Sequence, residues 1–266
     1  MSDPKESPKE TPAESTAVAT IADEAWDLAK TVFWAVGIAL VLRIIIFQPF
    51  NIPSGSMKPN LLVGDFLFVS KPAYGYSKAS LVWPFTRLDV DGRFLGNEPV
   101  RGDVLVFKNR KDGNKDYIKR LVGMPGDQIQ MKGGVLHING VAVQKEFAGY
   151  ALASCDRMPA TKVAQFRETL PNGVSYIVQE CHGDQGYNDN TPVYKVPAGR
   201  YFLMGDNRDQ SQDSRVVSEV GYIAYDDIVG RAERLFFSFD VENTQAWEFW
   251  KWPTAVRYGR ILDPIE

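Results

Sequence analysis

The sequence predicts a mainly β protein: a single N-terminal transmembrane helix followed by an all-β domain that carries an inserted second β lobe. Three observations carry this expectation. Residues 31–47 (TVFWAVGIALVLRIIIF) form one strongly apolar run of 17 residues with a single charge, Arg43. Beyond Pro49 the apolar residues fall into short, strand-length runs at 66–70, 104–108, 117–122, 128–131 and 201–204. Gly133-Gly134 and Asn139-Gly140 bracket the run VLHI and are hairpin dipeptides, because tight hairpin turns need positive φ at their central residues.

Residues 1–20 are rich in Pro, Ser, Thr, Glu and Lys with almost no large apolar side chain, so they read as a disordered tail. Residues 21–48 read as a juxtamembrane and transmembrane helix. The apolar run is at the short end for a span, and Leu28 and Ala29 extend it toward the usual ~20 residues. A cleavable leader would need a short basic start and an Ala-x-Ala site, and neither is present. A buried core helix is the other alternative. Lys30 on one side and Arg43 with Lys58 on the other give no positive-inside bias, so charge leaves the orientation open. Residues 49–266 form the β region, with a core lobe at about 49–127 and 198–266 and an inserted lobe at about 128–197.

Among the 266 residues, 30 basic and 33 acidic side chains give a net charge of −3, so there is no cationic surplus for nucleic acid. The only histidines are His137 and His182 and the only cysteines Cys155 and Cys181, which supply no local zinc set; no metal or cofactor is expected. The cysteines stand 26 positions apart, a spacing that suits one disulfide closing a mid-sized loop, with two separate buried thiols as the alternative. An oxidised pair would place this region outside the cytosol.

Three segments hold the candidate chemistry. In the first, 48–59 (QPFNIPSGSMKP), three prolines and a glycine exclude a helix and leave a stiff loop with two hydroxyls, Ser54 and Ser56. Ser56 is nine residues past Phe47, hence at most about 30 Å from the end of the apolar run. In the second, 116–127 (DYIKRLVGMPGD), strand alternation puts Tyr117, Lys119 and Leu121 on one face and Ile118, Arg120 and Val122 on the other. Arginine keeps its proton in proteins whereas a desolvated lysine can lose it, so only Lys119 could act as a base. The third, 205–215 (GDNRDQSQDSR), is dense in polar groups; read as a calcium loop from Asp209, it has Ser214 where Gly is needed and Val220 where Glu is needed.

In this order behind an apolar anchor, IPSGSMKPN, YIKRLVGMPGD and GDNRDQSQDSR closely resemble the signature segments of bacterial type I signal peptidases. The resemblance implies a Ser-Lys endopeptidase, with Ser56 as nucleophile, Lys119 as general base, and Ser54 sharing the oxyanion hole with the Ser56 N–H. It further implies that Ser211 hydrogen-bonds the base and that Asp213 and Arg215 form a buttressing ion pair. Shallow apolar pockets would be lined by Phe50, Ile52, Pro53, Leu61, Leu67, Tyr117 and Ile118, and Trp83 with Phe85 would meet the membrane interface. The implied partners are signal peptides of exported preproteins, cut after Ala-x-Ala, together with the lipid bilayer and a nearby secretion translocon. The implied location is the bacterial inner membrane, single-pass, with the catalytic domain on the periplasmic side. Asn60 stands where the family usually has Thr, and Ala224 where a Pro is more typical. The alternatives are a cytosolic Ser-Lys self-cleaving repressor, which would need a DNA-binding module here, and an anchored, non-enzymatic periplasmic scaffold.

Overall fold

Proline suits the first turn of a helix because its missing N–H would be unpaired there, and in the computed structural model helix α1 runs from Pro12 to Ile45. The structure describes residues 12–81, 92–155, 160–244 and 247–265, without the side chains of 12–23 and 42–45. Trp83 and Phe85 therefore lie outside the described residues. The helix has 34 residues, about 50 Å at 1.5 Å per residue. It corrects the sequence expectation at both ends. Residues 12–20 are helical, since propagating a nucleated helix needs no apolar contact and Ala13, Glu14, Ala17 and Ala19 tolerate it well. At the other end Phe47 and Gln48 already belong to a strand, because Pro49 pushes the residue before it into extended backbone.

Among the described residues no helix is long and apolar enough to cross a membrane. The apolar run passes through 42–45, whose side chains are not among those described. Of those that are, Leu28, Val32, Phe33, Trp34, Val36 and Ile38 are exposed and spread round the helix rather than along one stripe. The chain divides into a unit ending at Ile44 and a second spanning Ile45–Glu266.

In the second unit the strands are β1 Phe47–Asn51, β2 Asp65–Ser70, β3 Tyr76–Ser77, β4 Arg93–Phe94, β5 Val104–Asn109, β6 Lys115–Gly123, β7 Gln128–Lys132, β8 Val135–Ile138, β9 Val141–Ala142, β10 Gln144–Ala153, β11 Thr161–Thr169, β12 Ser175–Glu180, β13 Tyr194–Lys195, β14 Arg200–Met204, β15 Ile223–Ala224 and β16 Ile228–Ser238. A main antiparallel sheet has the order β1-β2-β16-β5-β6-β14-β15. Pro49 lies in its edge strand β1, where a missing N–H disturbs the ladder least. Strands between 128 and 195 form two sheets of their own, β13-β7-β8-β9 and β10-β11-β12, tied back by a bridge between Gln179 and Asn207. The β7–β8 and β8–β9 turns carry positive φ at Gly133 (51°), Gly134 (71°), Asn139 (54°) and Gly140 (80°). A disulfide joins Cys155, just past β10, to Cys181, just past β12, with Cα atoms 6.0 Å apart.

Alternation divides the core between the two faces of the main sheet. Leu105, Phe107, Leu121 and Leu203 pack on one side. Val104, Val106, Leu67 and Met57 pack on the other. Val122 and Phe202 join Ile129, Leu136 and Val178 in a third cluster that fills the inserted lobe. The end of β6 is thus buried on both faces, and both cations of its Lys-Arg pair are carried inside.

Candidate active site

Lys119 and Arg120 are adjacent in β6 and receive opposite treatment. Arg120 is fully buried and forks onto Asp206, Nε to Oδ1 and Nη2 to Oδ2 each at 2.8 Å, while Nη1 donates to Gly102 O at 2.9 Å. Its guanidinium also stacks over Tyr176 at 4.0 Å. Lys119 is 3% exposed and has no carboxylate within hydrogen-bond reach among the described residues. Its Nζ lies 2.6 Å from Ser56 Oγ and 2.9 Å from Ile118 O. The Lys119 pKa is lowered to about 8, chiefly by burial; the charges of Asp213 and Asp206 oppose that shift and the Arg215 charge adds to it.

Ser56 reaches this lysine from a 3₁₀ turn, Gly55–Met57, that follows β1. Met57 is fully buried and pins the turn to the core, and Leu61 N donates to Met57 O at 2.9 Å. Asn207 clamps the turn from above: its N–H donates to Ser56 O and its side-chain Nδ2 to Gly55 O, each at 3.1 Å. Ser54 Oγ is 3.5 Å from Ser56 Oγ, so a second hydroxyl faces the same space.

The third segment forms the scaffold. Asp213 and Arg215, both buried, make a two-pronged pair at 2.9 and 2.8 Å, and Gly205 N donates to Asp213 Oδ2 at 3.0 Å. Despite desolvation, the Arg215 charge, its hydrogen bonds and the one from the Gly205 N–H hold the Asp213 carboxyl below its ordinary value. Arg208 forks onto Glu168 of β11, which also accepts from Tyr176 OH at 3.0 Å. Arg208 N donates to Gln179 O at 2.9 Å, so the segment stitches the inserted lobe to the turn that carries Ser56.

One expected hydrogen bond is not made, and the expected pocket residues divide by exposure. Ser211 does not hydrogen-bond Lys119, and its Oγ has no partner at hydrogen-bond geometry among the described residues. Lys119 Nζ is already engaged by Ser56 Oγ and Ile118 O. Of the residues expected to line pockets, Ile52, Leu61 and Leu67 are 3%, 1% and 0% exposed and belong to the core. Their side chains alternate inward and form a floor; Pro53 is exposed, and Phe50, Tyr117 and Ile118 are half-buried and present surface.

Sequence reasoning missed Arg120, Asp206, Asn207, Arg208 and Glu168. An arginine inside the apolar run YIKRLVG and the charge density of GDNRDQSQDSR were available signals for four of them. Glu168 sits in an ordinary polar strand sequence, TKVAQFRET, and carried none.

Residues 25–237 match the family described as "Signal peptidase, peptidase S26". The chain is 42% identical over 207 residues to the signal peptidase I of Rickettsia conorii, spanning 76% of this chain and 75% of that protein. With the signal peptidase I of Rickettsia akari it shares 40% over 225 residues, 82% of this chain and 80% of that protein. A crystal structure of a signal peptidase I from Enterococcus faecalis V583 superposes with a TM-score of 0.29 at 23% identity, covering 51% of this chain and 97% of that one, too loosely to bear on the fold. On the extent of the family match and of these identities, the chain belongs to the signal peptidase family, peptidase S26.

Proposed function

We propose that this chain is a membrane-anchored serine endopeptidase that removes signal peptides from exported preproteins after small residues in an Ala-x-Ala pattern, with Ser56 as nucleophile and Lys119 as general base. The observation that carries the reading is the 2.6 Å approach of Lys119 Nζ to Ser56 Oγ, at an amine whose pKa burial lowers to about 8. Neutral Lys119 takes the Oγ proton as the oxygen bonds to the scissile carbonyl carbon, then returns it to the departing amine as the C–N bond breaks. A water, deprotonated in turn by Lys119, opens the acyl-enzyme ester and frees the signal peptide carboxylate. The Ser56 N–H and the Ser54 hydroxyl are the donors for the oxyanion, a role typically contributing ~3–4 kcal/mol per donor.

On the acyl side, Phe50, Pro53, Tyr117 and Ile118 offer an apolar surface, and edge strand β1 can take an extended peptide. The floor of Ile52, Leu61 and Leu67 keeps that surface shallow, which suits alanine and excludes larger side chains.

Helix α1 is the anchor in this reading: its apolar side chains are exposed all round, as in lipid, and β1 starts two residues after it. The catalytic unit would then stand on the periplasmic face of the bacterial inner membrane, beside the translocon, with Trp83 and Phe85 at the interface.

The test is cleavage of an Ala-x-Ala peptide by the full chain in detergent. The unaltered chain should cut, and Ser56→Ala and Lys119→Met should not while remaining folded. Near-normal turnover in either variant removes the dyad.

A further inference from the structure

Just past Ser56 the chain enters a groove of about 700 Å³ lined by Lys58, Leu62, Ala151 and Ala153 of β10, Gln179 and Glu242. It shares no residue with the apolar surface assigned to the acyl side. It begins at the nucleophile turn itself, since a Cβ placed on Gly55 would meet Lys58 Cδ at 3.3 Å. Lys58 Nζ reaches both carboxylate oxygens of Glu242 at 2.8 Å, so one cation and one anion on distant parts of the chain meet at this groove. Gln179 is 2% exposed, and its side-chain amide nitrogen has no partner among the described residues. A buried donor left unpaired is costly, and a peptide carbonyl lying in the groove would satisfy it. Through its bridge to Asn207, the same residue is coupled to the clamp on Gly55 and Ser56.

We propose that this groove binds the substrate segment immediately C-terminal to the scissile bond, the first residues of the released protein, with Lys58 and Glu242 as its charged rim. The inference rests on Ser56 being the nucleophile. A peptide lying across Ser56 has two ways to leave it. The acyl part follows the surface upstream of Ser56, so the leaving part continues past Lys58 along the groove. Alanines at 151 and 153 leave room for varied side chains, as a site that must accept many mature sequences requires. Binding energy gathered here, away from the reacting bond, raises kcat/KM for substrates long enough to use it.

The test compares two peptides with the same acyl side, one ending a single residue after the cut and one continuing six residues further, using the full chain in detergent. Extension should raise kcat/KM about tenfold in the unaltered chain, and Ala151→Trp, which fills the groove, should bring the long-to-short ratio to within about twofold of one. Glu242→Lys changes a half-exposed rim position and guards against misfolding of the first variant. It should raise the preference for acidic over basic extensions severalfold at low salt, an effect that fades as ionic strength rises. A long-to-short ratio near one in the unaltered chain, or ratios unchanged by both variants, overturns the groove while cleavage of the short peptide leaves the Ser56 reading standing. Failure to cut either peptide overturns both.

Discussion

Under the proposed mechanism, raising the pH from 6 to 10 should switch on acylation along a curve with a midpoint near 8, because only the neutral form of Lys119 could accept the Ser56 proton. With a pKa of about 8, roughly a tenth of the amine is neutral at pH 7; at the ordinary 10.5 the fraction would be about 1 in 3,000. Burial thus supplies a factor of about 300 in usable base. That factor has a stability cost. The difference between 10.5 and about 8, at 1.36 kcal/mol per pKa unit, is about 3 kcal/mol held against the folded state whenever the lysine is charged. Because the folded pKa lies below the unfolded one, the cost is complete below pH 8 and disappears as pH rises toward 10.5. Lys119→Met should therefore be inactive yet more stable, by up to about 3 kcal/mol at pH 7, with the advantage shrinking between pH 8 and 10.5. Single-turnover acylation against pH, with urea denaturation of both proteins at pH 7 and 10, reads both effects. A flat acylation profile, substantial activity in Lys119→Arg, or a Met variant less stable than the parent at pH 7 would refute the reasoning.

Ser54→Ala should lower turnover by roughly 100- to 1,000-fold with little change in KM, the loss expected for one oxyanion donor; steady-state kinetics on the Ala-x-Ala peptide decide it. Asp213→Ala leaves Arg215 buried without its carboxylate and should destabilise by about 3–5 kcal/mol, whereas replacing both by apolar residues of similar volume should cost much less; denaturant midpoints of the single and double variants test this. A Cβ at Gly205 would fall 2.2 Å from Ser211 Oγ and 2.5 Å from Ser56 O. Gly205→Ala should therefore displace the nucleophile turn and reduce kcat by about 100-fold or more, and near-parental kcat would mean the turn is less constrained than its contacts imply. Leu in place of the small residue before the cut should nearly stop cleavage, and equal rates for Ala and Leu would show the acyl-side surface to be deeper than the floor of Ile52, Leu61 and Leu67 allows.

Strand positions were readable where local chemistry alone decides the outcome. The runs at 66–70, 104–108 and 128–131 begin or end within a residue or two of β2, β5 and β7, because short apolar runs between turn residues have few other options. Strand β16, at the middle of the main sheet, was not recognised: Gly230, Arg231, Glu233 and Arg234 break the period of two, and three register irregularities carry the strand through the mismatch. Strand β10 was missed for the opposite reason, being largely exposed and so having no apolar alternation to show.

By itself the sequence determined the mainly β character and the apolar segment ahead of it, and it singled out Ser56 and Lys119 as the proposed pair, since residue type and motif order are local properties and only a lysine in that strand could give up its proton. Tertiary structure alone decided how the two meet. They stand 63 positions apart and meet only through the main sheet, and Asn207, from a third segment, holds the turn that aims Ser56 at the amine. It also decided which pocket candidates are buried and which are at the surface, and that Arg120 receives the Asp206 carboxylate while Lys119 receives none among the described residues. Charge and solvation depend on what surrounds a group in space, and for two adjacent cations in one strand that surrounding is set by opposite faces of the sheet.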